Sequence, residues 1–229
     1  MSGKSHAVVF DWNGTLLADT QCCLRATNAV LKRLGRRTVT LEQYRQYAIV
    51  PIAHMYHAFG CDAEELTRRA VEIHDLWNGV YNAGARKARL RRGARGVLDA
   101  LRELQQRVLI LSNHTVANIS GHTRRLGVHA CFDAILANDK VGGAFTKRGK
   151  GERLPTYLKE NGIKSGIIIG DSEEEVEIAR AHDFVSVAIT GGVCSTRRLA
   201  AAKPDYMIRN LNEIPVIAER VFARRRGVR

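Results

Sequence analysis

Short apolar runs alternating with longer amphipathic stretches constrain this chain most. Ala7-Val8-Val9-Phe10 stops at Asp11 and the Asn13-Gly14 turn. Val108-Leu109-Ile110-Leu111, Ala134-Ile135-Leu136, Gly166-Ile167-Ile168-Ile169 and Val185-Ser186-Val187-Ala188-Ile189 repeat the pattern, with a weaker run at Tyr206-Met207-Ile208. Runs this short, without strict alternation, read as strands buried on both faces. Amphipathic stretches separate them at residues 96–106, 117–126, 152–160, 173–182, 196–202 and 211–223. Such strands joined by helices predict an α/β fold, a Rossmann-like, doubly wound parallel sheet.

Between the first two strands the rhythm breaks. Leu24, Ala29-Val30-Leu31 and Leu34 recur at helical spacing, and so do the apolar residues from Ala63 to Val80. No strand is expected there, and a small helical bundle is. The expected division is a core of residues 1–16 and 88–229 with an all-helical cap at residues 17–87.

Composition narrows the setting. No apolar run approaches the roughly 18 residues of a membrane span, and the N-terminal apolar segment is too short for a secretory signal. Five cysteines, an odd number without CxxC spacing, argue for reduced packing residues in a cytoplasmic protein rather than a disulfide framework or a zinc site. Lys and Arg number 36 against 23 Asp and Glu, a net charge of +13, which favours anionic partners. Much of the excess lies in Arg86, Lys87, Arg89, Arg91, Arg92 and Arg95 and in the tail Arg220, Arg224, Arg225, Arg226 and Arg229. Neither cluster is interleaved with aromatics that would stack on bases, and for the tail a solvated end is preferred over a nucleic-acid site. Gly143–Gly151 misses P-loop spacing by one residue and has Gly151 where a Ser or Thr should stand, and Gly3-Lys4-Ser5 lacks the upstream glycine loop. The oligomeric state is not legible.

In an open parallel sheet, ligands bind at the carboxyl ends of the strands. Asp11-Trp12-Asn13-Gly14-Thr15 follows the first strand, and Ser112-Asn113-His114 the second. A loop holding Lys147 and Lys150 precedes a helix, and Gly170-Asp171-Ser172-Glu173-Glu174-Glu175 follows a later strand. Each alone is an ordinary cap or turn. Together they would build one pocket. Asp11 and Asp171 offer hard oxygens suited to Mg²⁺, Ser112 and nearby N–H groups can donate to phosphoryl oxygens, and Lys150 can neutralise phosphate and nucleophile.

These residues, in this order and with a cap after the first, resemble the haloacid dehalogenase superfamily, most closely its phosphoglycolate-phosphatase-like branch with a helical cap. The resemblance spans Val8 to about Pro215. It implies Asp11 as the nucleophile that forms an aspartyl phosphate, and phosphate binding by Gly14, Thr15, Ser112, Asn113 and His114. It also implies Lys150, ahead of Lys147, as the catalytic lysine. Asp11, the Asn13 carbonyl, Asp171 and Glu175 become the metal group. The expected function is a Mg²⁺-dependent phosphohydrolase acting on a small phosphorylated metabolite, with Cys22, Tyr44, His54 and Tyr56 as specificity contacts in the cap.

One departure stands out. The family's phosphatases carry Asp two residues after the nucleophile as general acid and base, where this chain has Asn13. A carboxamide cannot perform proton transfer that is typically worth about 10²–10⁴-fold, so turnover is expected to slow at hydrolysis of the phospho-aspartate. The resemblance leaves open a silent scaffold that binds a phospho-ligand or partner, and a phosphonatase or dehalogenase. The intact acidic motif argues against dehalogenation, and Lys32, on a helix face read as solvated, is a poor Schiff-base lysine. His114, His54 and His57 are candidates to replace the acid, and deamidation at Asn13-Gly14 would restore it.

Overall fold

The computed structural model describes residues 6–140, 145 and 149–226, the last three as backbone alone. Six parallel strands, β1 (His6–Phe10), β2 (Arg107–Thr115), β3 (Ala134–Asn138), β4 (Ser165–Gly170), β5 (Val185–Ile189) and β6 (Tyr206–Ile208), form one sheet in the order β3-β2-β1-β4-β5-β6. The order reverses between β1 and β4, and a doubly wound sheet opens its crevice at that reversal. Both strands end there in the residue that becomes chemistry: Asp11 after β1 and Asp171 after β4.

Strand β1 shows why the runs are apolar throughout. Alternate side chains point to opposite faces. Val8 and Phe10 join one cluster with Ile110, Ile167 and Ile169, while Ala7 and Val9 join another with Leu109, Leu111 and Ile168. Each fully buried aliphatic side chain is worth roughly 1.5–3 kcal/mol.

The insert is helical: α1 (Thr20–Arg33), α2 (Leu41–Tyr47), α3 (Ile52–Ala58), α4 (Ala63–Arg68) and α5 (Ala70–Ala85). These pack around their own cluster, which includes Cys22, Val30, Tyr44, Tyr56 and Tyr81. The 63–80 stretch is two helices, interrupted at Arg69, whose guanidinium is drawn to Glu65 and Glu72. Helix α6 (Ala94–Glu103) follows and packs on the sheet through Ala94, Val97, Leu98 and Leu101. Further α-helices among the described residues are α7 (Val116–Arg125), α8 (Leu154–Glu160), α9 (Glu173–Ala181), α10 (Thr196–Ala201) and α11 (Ile214–Arg226).

Two expectations are corrected, and the arginine cluster gains a role. The Ser112-Asn113-His114 segment lies inside β2 rather than after it, because pairing with β3 resumes at Thr115↔Asn138 after a register shift. A polar end beyond an apolar run hides such an extension. The 152–160 helix begins at Leu154, preceded by one 3₁₀ turn over Gly151–Arg153. The arginine cluster is partly structural: Arg91 donates to the carbonyls of Gly14 and Thr190 at 2.6 and 2.7 Å, and Arg95 donates to that of Gly127 at 3.2 Å. The P-loop-like stretch and Lys147 lie largely outside the described residues, as do the side chains of Arg224, Arg225, Arg226 and Arg229. All five cysteines are free and buried. Among the described residues, no helix is long and apolar enough to cross a membrane.

Candidate active site

The carboxyl edge of the sheet gathers Asp11, Ser112, Lys150, Asp171 and Glu175, all buried. The Lys150 ammonium is only 2% exposed and donates to Asp11 Oδ1 at 2.6 Å and to Glu175 Oε1. Burial works against its charge, but Asp11 and Glu175 outweigh that and hold its pKa above the usual lysine range. Burial is also the main force on Asp11, pushing it up to about 7 against the opposing pull of Lys150. Asp171 is pushed up by burial first, and then by Asp11 and Glu175. The group is therefore short of positive charge.

On one side Asp171 is walled by glycines alone. A Cβ on Gly14 would come within 2.1 Å of its Oδ2, and one on Gly192 within 1.8 Å. Gly14 also has φ +71°, open to glycine at little strain. The carboxylate accepts from Val193 N–H at 2.6 Å, and the Thr15 hydroxyl lies between its Oδ1 and Asp11 Oδ2, at 3.2 and 3.4 Å. Glu175 accepts from the Ser172 N–H at 3.0 Å and the Ser172 hydroxyl at 2.7 Å through Oε2. Both its oxygens are thus engaged, one by Lys150 and the other by the capping box of α9. Asn113 donates to Glu174 Oε2 at 2.6 Å.

Sequence reading missed Asp19 and Tyr81. Asp19 precedes α1 and looks like a helix cap, yet its side chain caps nothing there. Fully buried, it accepts from Gly14 N–H at 2.8 Å, from Tyr81 OH at 2.6 Å and from Asn13 Nδ2 at 2.6 Å. Asn13 Nδ2 also reaches Tyr81 OH at 2.7 Å. These contacts occupy both amide hydrogens, leaving Oδ1 as the free end of Asn13. They also hold the Gly14 nitrogen, the atom that would attack the Asn13 carboxamide during deamidation, against Asp19. The geometry therefore counts against that route to an acid.

His114 lies in the cavity wall, its ring 5.3 Å from that of Tyr81. Its Nδ1 accepts from Thr115 N–H at 2.8 Å, so Nε2 carries the proton, and buried Nε2 has no partner. Burial, helped by His122, lowers its pKa to about 4. His114 is thus a neutral donor rather than an imidazolium acid. The unfolded chain takes up a proton below about pH 6.5 that the folded state refuses down to about 4, so this residue lowers stability as pH falls through that window. Imidazole ¹⁵N shifts should show His114 as the Nε2–H tautomer with no titration between pH 8 and 5. A midpoint above 6 would contradict the assignment.

A cavity of about 230 Å³ joins this floor to the helical insert. Tyr44 and Tyr56 line it, whereas His54 and Cys22 do not. His54 and His57 are exposed, because α3 turns Met55 and Tyr56 inward. Cys22 is buried beside Arg25, which donates to its sulfur at 3.3 Å.

The sequence profile of haloacid dehalogenase-like hydrolases matches residues 8–189. The chain belongs to the haloacid dehalogenase-like hydrolases. It is 27% identical over 214 residues to a phosphoglycolate phosphatase of Synechococcus elongatus, covering 91% of this chain and 95% of that one. It is 21% identical over 227 residues to the pyrophosphatase PpaX of Listeria innocua, covering 95% and 98%. A solved haloacid dehalogenase-like hydrolase of Streptococcus pneumoniae shares the fold, with a TM-score of 0.76 at 22% identity over 92% of this chain and 97% of that one. The helical insert between β1 and β2 is the cap of the family's phosphoglycolate-phosphatase-like branch.

In this haloacid dehalogenase-like hydrolase, two arginines clasp cap to core reciprocally. Arg45, in α2, donates to the carbonyls of Gly192 and Gly191, both at 2.8 Å. Arg198, in α10, donates to the carbonyls of Gln46 and Ala48 at 3.1 and 2.7 Å, and pairs with Glu173. Because cap closure completes such a pocket, Arg198→Ala should raise KM about fivefold or more, with a smaller change in kcat. Steady-state kinetics read this directly, and an unchanged KM would remove the clasp from the closure step.

Proposed function

We propose that this chain is a Mg²⁺-dependent phosphohydrolase working through an aspartyl phosphate on Asp11, with its second half-reaction slowed at Asn13. The arrangement of Lys150 against Asp11 at the sheet's switch point carries this reading. A buried carboxylate held by an ammonium, beside the Ser112 hydroxyl, suits attack on a phosphoryl group whose charge Lys150 offsets.

Mg²⁺ fits the donors. Asp11, Asp171 and the Asn13 carbonyl are hard oxygens, and two carboxylates completed by water and substrate phosphate are this ion's usual set. The surplus negative charge around Lys150 calls for such a cation. When bound, it would screen the phosphoryl oxygens from the attacking carboxylate. Glu175, with both oxygens engaged, serves by holding Lys150 in place.

In the first half-reaction an Asp11 oxygen bonds to phosphorus, the bond to the leaving oxygen breaks, and that oxygen takes the electron pair. An aryl oxide leaves without a proton donor, whereas an alkoxide needs one. In the second, water attacks phosphorus, the bond to Asp11 breaks, and phosphate departs. Asn13 can orient that water through Oδ1 but cannot accept its proton. Turnover of p-nitrophenyl phosphate that requires Mg²⁺ tests the reading, and turnover unaffected by a chelator would refute it.

The second reading is a phospho-ligand-binding scaffold, favoured by one observation: both amide hydrogens of Asn13 are committed to Asp19 and Tyr81. It predicts binding of inorganic phosphate with Mg²⁺ and no release of p-nitrophenol.

A further inference from the structure

The wall facing the phosphate site has a character the floor lacks. Tyr44, Ile49, Ile52, Met55, Tyr56 and Trp77, all from the cap, line the cavity above Asp11. The cap's polar contributions include Thr27, His74 and Asn78, and its lining residues include no lysine or arginine. Two described cations reach the cavity, both from the core. Lys150 is committed to Asp11 and Glu175, and Lys140 is exposed at the rim. The floor adds Glu173, Glu174, Glu175 and Asp171. Among the described residues, a second carboxylate or phosphate on the substrate would therefore meet the apolar cap wall with no cap cation to pair with it, at the cost of its desolvation. An apolar group would bury surface against the wall instead. His114 lines the same cavity as a neutral imidazole, its Nε2 buried and without a partner.

Resting on the phosphohydrolase reading above, we infer that the group esterified to the phosphate is apolar and carries no ionised substituent. The substrate class is aryl phosphate monoesters, and substrates carrying a second anion, such as phosphoglycolate or pyrophosphate, are disfavoured. This sets the chain apart from the phosphatases named above despite their shared fold. The cap wall supplies the selection.

Binding of phosphonates, which resist hydrolysis, tests this without turnover. Calorimetry with Mg²⁺ present would compare benzylphosphonate with phosphonopropionate, a dianion-plus-carboxylate probe. Benzylphosphonate should bind at least tenfold more tightly. Ile52→Arg, at the first turn of α3, should narrow or reverse that ratio. Equal or tighter binding of phosphonopropionate by the unmodified protein would overturn the inference, as would binding of neither probe. The two claims separate cleanly. A benzylphosphonate preference without p-nitrophenyl phosphate turnover would leave the pocket assignment standing and sink the catalytic reading. Turnover with a phosphonopropionate preference would do the reverse.

Discussion

Asp11→Asn is expected to abolish turnover and, in metal-free protein, to raise the melting temperature. Losing the nucleophile should lower kcat by about 10⁴-fold or more, since a carboxamide oxygen cannot form the covalent phosphate. The stability gain follows from the crowding. Asp11, Asp171 and Glu175 share one ammonium, Lys150, and Asp11 is pushed up to about 7 chiefly by burial. Holding it ionised in the folded state works against folding, and the neutral isostere removes that burden while Lys150 keeps Glu175. A gain on the order of 2 kcal/mol corresponds to about 5 °C for a chain of this size. Calorimetric melts without Mg²⁺ check it. A lower melting temperature would mean that the Asp11–Lys150 pair stabilises more than the crowding costs.

Asn13→Asp should act in the opposite direction on activity, raising steady-state hydrolysis of p-nitrophenyl phosphate by about 10²-fold. The new carboxyl would stand where Nδ2 lies now, 2.6 Å from Asp19 Oδ2. Two carboxylates that close cannot both ionise, so the pair would share a proton and offer both an acid and a base form near neutral pH. Asp19 is already pushed up by burial, which favours that sharing. Asn13→Asp with Asp19→Asn should gain less than Asn13→Asp alone. Equal gains would show that Asp19 takes no part.

The reach of the sequence was set by the kind of contact involved. Strand β5 coincides with its apolar run, because burial on both faces leaves its mark residue by residue, and the weaker run of β6 fits an edge strand with Met207 exposed. Asp11, Lys150 and Asp171 were legible because each stands at a strand end or in a loop that the fold directs to one edge. Asp19 was not, since its partner Tyr81 lies 62 positions away on a helix whose periodicity says only that Tyr81 is buried. The apolar cavity wall had the same concealment. Tyr44, Met55 and Tyr56 satisfy a helical core pattern whether they face one another or a ligand, and only the packing of α2, α3 and α5 over the sheet edge separates the two. His54 failed for a related reason: on a short helix, a one-residue difference turns a side chain from cavity to solvent.

The central claim is that Asp11 is phosphorylated quickly and dephosphorylated slowly. Rapid mixing of p-nitrophenyl phosphate with the Mg²⁺-loaded protein should give a burst of p-nitrophenol close to one equivalent of enzyme. A slow steady state should follow, and intact-protein mass should show a phosphoryl adduct that is missing in Asp11→Asn. Linear release from the first turnover, with no adduct on Asp11, would contradict it.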